Sequence, residues 1–215
     1  MGCQCEKPEE QNDELRADED RVKNLDINNM NIIENNNNNL PSEPTDSFSR
    51  YMFEKINALR ENPQSFIDMI EKAKKNVTTD KNGVIIYKTS VKVALNNGIS
   101  AFDEAIEALR KTKPMNKLKF NPNFIIKLPN NEVDVKSKEY FIDQVRTKID
   151  SGIDIKSFWK DIVKDSESCF VLTVVDDSGR FAGNKRNDLL NRDNKYIGIS
   201  SVSKGKSFAC YIALG

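Results

Sequence analysis

The chain has 215 residues, 38% hydrophobic and 31% charged, and its 33 basic and 33 acidic side chains cancel. The cancellation hides a split: residues 1–47 carry twelve acidic and four basic side chains, whereas residues 48–215 carry 29 basic and 21 acidic. Histidine is absent and only Cys3, Cys5, Cys169 and Cys210 supply thiols, which excludes His-based nucleophile pairs, His metal ligands and a disulfide-dense secreted scaffold.

Met1-Gly2-Cys3-Gln4-Cys5-Glu6 lacks the basic and apolar regions of a secretory signal. Nowhere do about 18 apolar residues run together, so no membrane span is expected. Gly2, exposed once Met1 is removed, is the residue that N-myristoylation requires. Cys3 and Cys5 are placed for palmitoylation, the second signal that stable anchoring needs. Glu6 departs from the Ser or Thr preferred at that position. Residues 6–47 are rich in charge and asparagine, including the run Asn35–Asn39, and cannot bury enough apolar surface to offset their ordering entropy. The expected organisation is a disordered acidic tail with a lipidation signal over 1–47, then a domain over 48–215.

Ser47 or Ser49 is expected to cap a helix over Arg50–Glu61, with Tyr51, Phe53, Ile56 and Leu59 at helical spacing. Pro63 opens a second helix over Gln64–Lys75. Asn82-Gly83 reads as a turn and Val84–Tyr87 as a strand or buried loop. A long helix is expected from Val91 to Lys111, closed by Pro114. Val135–Ser151 has helical spacing and ends at Gly152. Ile155–Val163, with the only tryptophan, Trp159, reads as another helical piece. Phe170–Val175 is a strand by β-branched propensity. Lys195–Val202 and Ser207–Leu214 alternate as strands around a Lys204-Gly205 turn. Cys169 and Cys210 read as buried thiols that could pair only if they neighbour each other across a sheet.

Several stretches, taken in order, resemble the CAP superfamily (cysteine-rich secretory proteins, antigen 5, pathogenesis-related 1), in its disulfide-poor bacterial and protist form. They are Ile56-Asn57-x-Leu59-Arg60-x-Asn62-Pro63; Ala101-x-x-Glu104-Ala105-Ile106; Leu118-x-x-Asn121; Val171–Asp177 followed by Gly183; Arg186-x-x-Leu189-Leu190-Asn191; and Lys195–Ile199 with the closing hairpin. The resemblance covers most of 48–215. It implies an α/β fold, a three-layer α-β-α sandwich around a small antiparallel sheet, and it implies a helix rather than a strand at Phe170–Val175.

That superfamily's cleft carries two histidines and two acids that can hold a divalent metal. Carried over by position, the cleft here would comprise Asn131 for the first histidine, Lys160 for one acid, Asp176 or Asp177 for the other, and Asn184 or Lys185 for the second histidine. Amides and ammonium groups do not replace imidazole and carboxylate donors, so a lost metal site and no cofactor are expected.

These readings describe a non-enzymatic, lipid-anchored CAP-like binding or scaffold module on the cytosolic side of a membrane, with a protein partner and no nucleic acid. A structural subunit of a ciliary or cortical assembly is the alternative. Asp177-Ser178-Gly179 resembles the catalytic triplet of aspartic proteases, but Asp176 and Arg180 depart from the surrounding pattern, and the triplet also reads as a turn. The basic residues Lys72, Lys74, Lys75, Lys111, Lys113, Lys117, Lys119, Lys185 and Arg186 read as scattered, hence as a solvated face rather than a patch.

Overall fold

The structure, a computed structural model, describes residues 41–89, 92–126, 136–177 and 183–215. Gly2, Cys3 and Cys5, the residues expected to be lipidated, the acidic tail up to residue 40, Asn131, and Ser178–Arg180 lie outside them. Residues Pro41–Gly215 form a compact unit.

Helix α1 spans Ser47–Glu61. Its cap is Asp46, not Ser47 or Ser49: the Asp46 carboxylate accepts the Ser49 N–H at 2.8 Å, satisfying an amide that the first turn leaves without a partner. A 3-10 turn at Pro63–Phe66 leads into α2, Ile67–Lys74. Three short strands follow, β1 (Val77–Thr79), β2 (Ile85–Lys88) and β3 (Lys92–Ala94), paired antiparallel in that order. Lys92–Ala94 is therefore strand where a helix from Val91 was expected. Helix α3 begins only at Ile99, after Gly98 at φ +61°, and ends at Lys111.

The second sheet is mixed. Its order is β4 (Lys119–Phe120), β6 (Tyr196–Lys204), β7 (Ser207–Leu214), β5 (Ser157–Val163), with β4 parallel to β6 and the other pairs antiparallel. The expected wholly antiparallel sheet is corrected at β4. Gly205 sits at φ +60° in the two-residue β6–β7 loop, the first-position glycine of a type II′ turn.

Ile155–Val163 is not helical. Ser157–Val163 is a strand, paired along its whole length with β7. Conversely, α5 (Ser166–Val175) is a helix despite its β-branched content. Asp165 caps it at the Ser168 N–H, 2.7 Å, and it is buried nearly all round, so packing overrides propensity.

Alternate residues of β7 define the layers. Cys210, Ile212 and Leu214 join the core formed with α1, α2, α3 and α5. Ala209, Tyr211 and Ala213 pack on the other side against Phe141 and Val145 of α4, Lys136–Asp150. The sheet thus lies between two helical layers. Each fully buried apolar side chain, Val145 for example, contributes roughly 1.5–3 kcal/mol.

Candidate functional site

The residues expected to form a cleft divide between the two faces of β5 and the ends of two helices. Lys160 and Asp161 are neighbours in a strand, so they point to opposite faces. Lys160 pairs with Tyr211 on the α4 side, its ammonium 5.7 Å from the ring centroid. This removes it from the other expected cleft residues. Asp161, which the sequence reading passed over, faces the opposite layer beside Cys210.

There Asp161 meets Lys185, at the start of α6 (Asn184–Leu189), with Oδ1 and Nζ 2.5 Å apart. Both side chains are about one-fifth exposed, at 19% and 21%. The Thr173 hydroxyl lies 3.4 Å from the second Asp161 oxygen and donates to the Cys169 carbonyl one turn earlier at 2.8 Å.

Asp176 ends α5 at φ 49°, the only non-glycine with positive φ among the described residues. It is 1% exposed. Its Oδ2 accepts the Lys185 N–H at 2.8 Å, and its carbonyl accepts the Gly183 N–H at 3.1 Å. One residue thus closes α5, its N–H donating to the Leu172 carbonyl, and caps α6 with its carboxylate, which offsets the cost, about 1 kcal/mol, of left-handed backbone. Arg186 is buried beneath, with Nη1 donating to the Val174 and Val175 carbonyls at 3.0 Å each. Burial lowers its pKa, while Asp176 and then Glu104 oppose that shift.

Asp177 points elsewhere. Its Oδ1 accepts the Asn97 N–H at 2.9 Å and Asn97 Nδ2 at 2.7 Å, and its carbonyl accepts Asn96 Nδ2 at 2.7 Å. It braces the loop that precedes α3. Asn184 is exposed on the first turn of α6. The structure therefore brings Asp176 and Lys185 together with the unforeseen Asp161 and Thr173, and separates Lys160, Asp177 and Asn184 from them.

Chemically, the cluster is self-neutralising. A carboxylate and an ammonium bind each other, and the second carboxylate holds the Lys185 backbone amide. Among the described residues no group of three His, Cys, Asp or Glu side chains is placed to hold a metal ion. Cys169 and Cys210 are free, buried thiols beside it. The Cys210 pKa is pushed up, first by its hydrogen bond with Cys169, then by burial and by nearby carboxylates, Asp161 the foremost.

The two larger grooves described among these residues lie elsewhere. One, of about 730 Å³, runs between α1 and β4 over Phe53, Asn57, Leu118 and Phe120, with Glu43, Glu54, Glu61, Lys117 and Lys119 on its rim. Its wall is fixed by Asn57, whose side-chain amide donates to the Leu118 carbonyl (3.2 Å) and accepts the Leu118 N–H (2.8 Å). The other, of about 500 Å³, includes Tyr87, Thr89, Asp165, Glu167 and Ser168. Burial, then Glu167 and Asp165, push the Tyr87 phenol up to about 12. Neither groove contains a residue that the sequence reading singled out as a cleft residue.

No protein family, curated protein or solved structure matches the chain.

Proposed function

We propose that this protein is a non-enzymatic, CAP-like binding module, held by acyl chains at the cytosolic face of a membrane and presenting its body to a protein partner. The Asp161–Lys185 pair carries the non-enzymatic reading. Where the CAP resemblance implies acids and imidazoles open to a metal, this chain has a carboxylate bound by its own ammonium. Engaging substrate or metal there would mean breaking a half-buried ion pair and leaving a charge without its partner. Asp177, the one described residue of the protease-like triplet, is engaged with Asn97.

The anchor reading rests on Gly2, Cys3 and Cys5. A single myristoyl chain binds membranes marginally, and two thioester-linked chains would make attachment lasting. The three-layer arrangement is what the CAP resemblance implies, and it supports that part of the proposal.

Fractionation of the protein's own cells tests the anchor. The natural chain is expected in the membrane pellet. Gly2→Ala, and Cys3→Ser combined with Cys5→Ser, are each expected to release it to the supernatant. Identical distribution of all three forms would overturn the anchor.

A further inference from the structure

Lysines that look scattered in sequence converge at one end of the body. The stretch Arg110–Lys119 holds five basic residues, Arg110, Lys111, Lys113, Lys117 and Lys119, and no acidic one. All five are exposed. Beside it lies the loop with exposed Arg192 and Lys195. Arg192 Nη2 donates to the Pro114 carbonyl at 3.2 Å, and the Lys119 N–H donates to the Lys195 carbonyl at 2.8 Å. The expectation of scatter is corrected here. Of the other lysines and arginines in that expectation, Lys185 is paired with Asp161, Lys74 with Asp103, and Arg186 is buried.

The joint between the two loops is built on Arg60, which is 1% exposed. Its guanidinium donates only to backbone carbonyls: Nε to Asn116 (2.8 Å), Nη1 to Leu189 (2.5 Å) and Asn191 (3.0 Å), and Nη2 to Asn194 (3.2 Å). The Met115 N–H donates to the Arg60 carbonyl at 2.8 Å. One residue of α1 thus holds both basic loops in a fixed relation, with a cation beneath them. Glu107 pairs with Lys111 and Arg110, and Glu61 with Lys117; together with Asp193 in the second loop, and Glu43 and Glu54 on the groove rim shared with Lys117 and Lys119, they offset part of the charge and leave the basic excess on Lys113, Lys119, Arg192 and Lys195.

We propose that this surface, formed by residues 110–119 and 192–195, docks on anionic lipid. This deepens, and rests on, the reading of the protein as membrane-bound. Three features favour a bilayer over a nucleic acid. Lysine predominates, a strongly hydrated point charge rather than the planar fork suited to stacking and bidentate base contacts. The charges spread over the end of α3, the segment after it, the first residue of β4 and the 192–195 loop, and of them Lys117 and Lys119 reach a groove, whose rim they share with Glu43, Glu54 and Glu61, so they do not line one continuous basic groove that could track a strand. Exposed Tyr196 follows Lys195, an aromatic suited to the membrane–water interface. Location agrees: Ser42 and Glu43, at the start of the compact unit, line the same groove as Lys117 and Lys119. A basic patch facing an anionic leaflet serves beside an acyl chain in two-signal attachment, because each basic residue near that surface adds to binding.

Full-length protein made without acylation separates this proposal from the anchor reading. It is mixed with vesicles of phosphatidylcholine alone or with roughly 30% phosphatidylserine, near the anionic content that gives a strongly negative surface. Cosedimentation is expected only with the anionic vesicles, and to be lost in high salt. Lys113→Glu/Lys119→Glu/Lys195→Glu is expected to weaken binding tenfold or more. Lys72→Glu/Lys75→Glu/Lys88→Glu, the same charge change elsewhere, and Lys113→Arg/Lys119→Arg/Lys195→Arg are expected to bind as the natural chain does, all with unchanged melting temperature. Equal loss in both charge-reversed variants, equal binding to neutral vesicles, or displacement from vesicles by single-stranded RNA at lower concentration than by soluble phosphatidylserine would overturn the proposal. Failure here leaves the acyl anchor standing, because no acyl chain is present.

Discussion

Arg60 is the residue on which most of the functional surface depends. Burial lowers its pKa to about 10, still far above neutral pH, so it stays charged with no carboxylate among its hydrogen-bond partners. Four carbonyls from two loops share it. Removing it leaves those acceptors without donors, so Arg60→Met is expected to cost roughly 3 kcal/mol or more in urea unfolding. Arg60→Lys is expected to recover little, since one ammonium cannot span the same fork. Tyr87 makes a prediction in pH. Its folded pKa of about 12 lies above the unfolded value of 10.0. Between those values the unfolded chain has lost the phenolic proton and the folded chain keeps it, so stability falls as pH rises. The fall from this group should approach about 2–3 kcal/mol, and Tyr87→Phe should remove that part of the slope in unfolding curves taken from pH 9 to 12.

Strand β5 and helix α5 show how far elements can be read from sequence. Ile155, Phe158, Trp159 and Ile162 are spaced as on a helix, yet the same residues also suit a strand in the middle layer of a sandwich. Trp159 and Val163 enter one core while Phe158 packs on Phe141 in the other. A run that is apolar on both faces defeats periodicity. The site differs accordingly: carry-over from the CAP resemblance singled out Lys160, whereas strand alternation puts Asp161 in the cluster instead. For α5, β-branched propensity pointed to strand and the CAP resemblance to helix; burial on every side decided for the helix. Helices α1 and α4 were legible because each has a periodic apolar face and clear end signals; the closing hairpin was legible from two strand-length runs around the Lys204-Gly205 turn, although β7 is apolar on both faces. A close approach was not legible: a Cβ on Gly198 in β6 would lie 2.4 Å from Phe124 Cβ and 2.6 Å from its carbonyl carbon. Gly198→Ala is therefore expected to destabilise by roughly 2 kcal/mol or more, through overpacking. Gly205→Ala, with open space around it, is expected to cost only about 1 kcal/mol for its positive φ. Thermal melts of the two variants compare them directly.

Over the whole molecule, the proposed function joins two kinds of observation. The residues proposed for acylation are local in sequence and could be read without any fold. The basic surface could not, because Arg110–Lys119 and Arg192–Lys195 are far apart in the chain and meet through β4–β6 pairing, the Arg192–Pro114 hydrogen bond and Arg60. Cleft residues were partly legible for the same reason: Asp176 and Lys185 lie close in sequence, but their partner Asp161 comes from a different layer. Acyl chains and a basic surface are the two signals that together give lasting membrane attachment. Mass spectrometry of the N-terminal peptide from protein isolated from its own cells decides whether the anchor exists. The expected result is Gly2 as the first residue, amide-linked to a myristoyl chain, with Cys3 and Cys5 carrying hydroxylamine-sensitive acyl groups. A free or acetylated N-terminus with both thiols unmodified would contradict it.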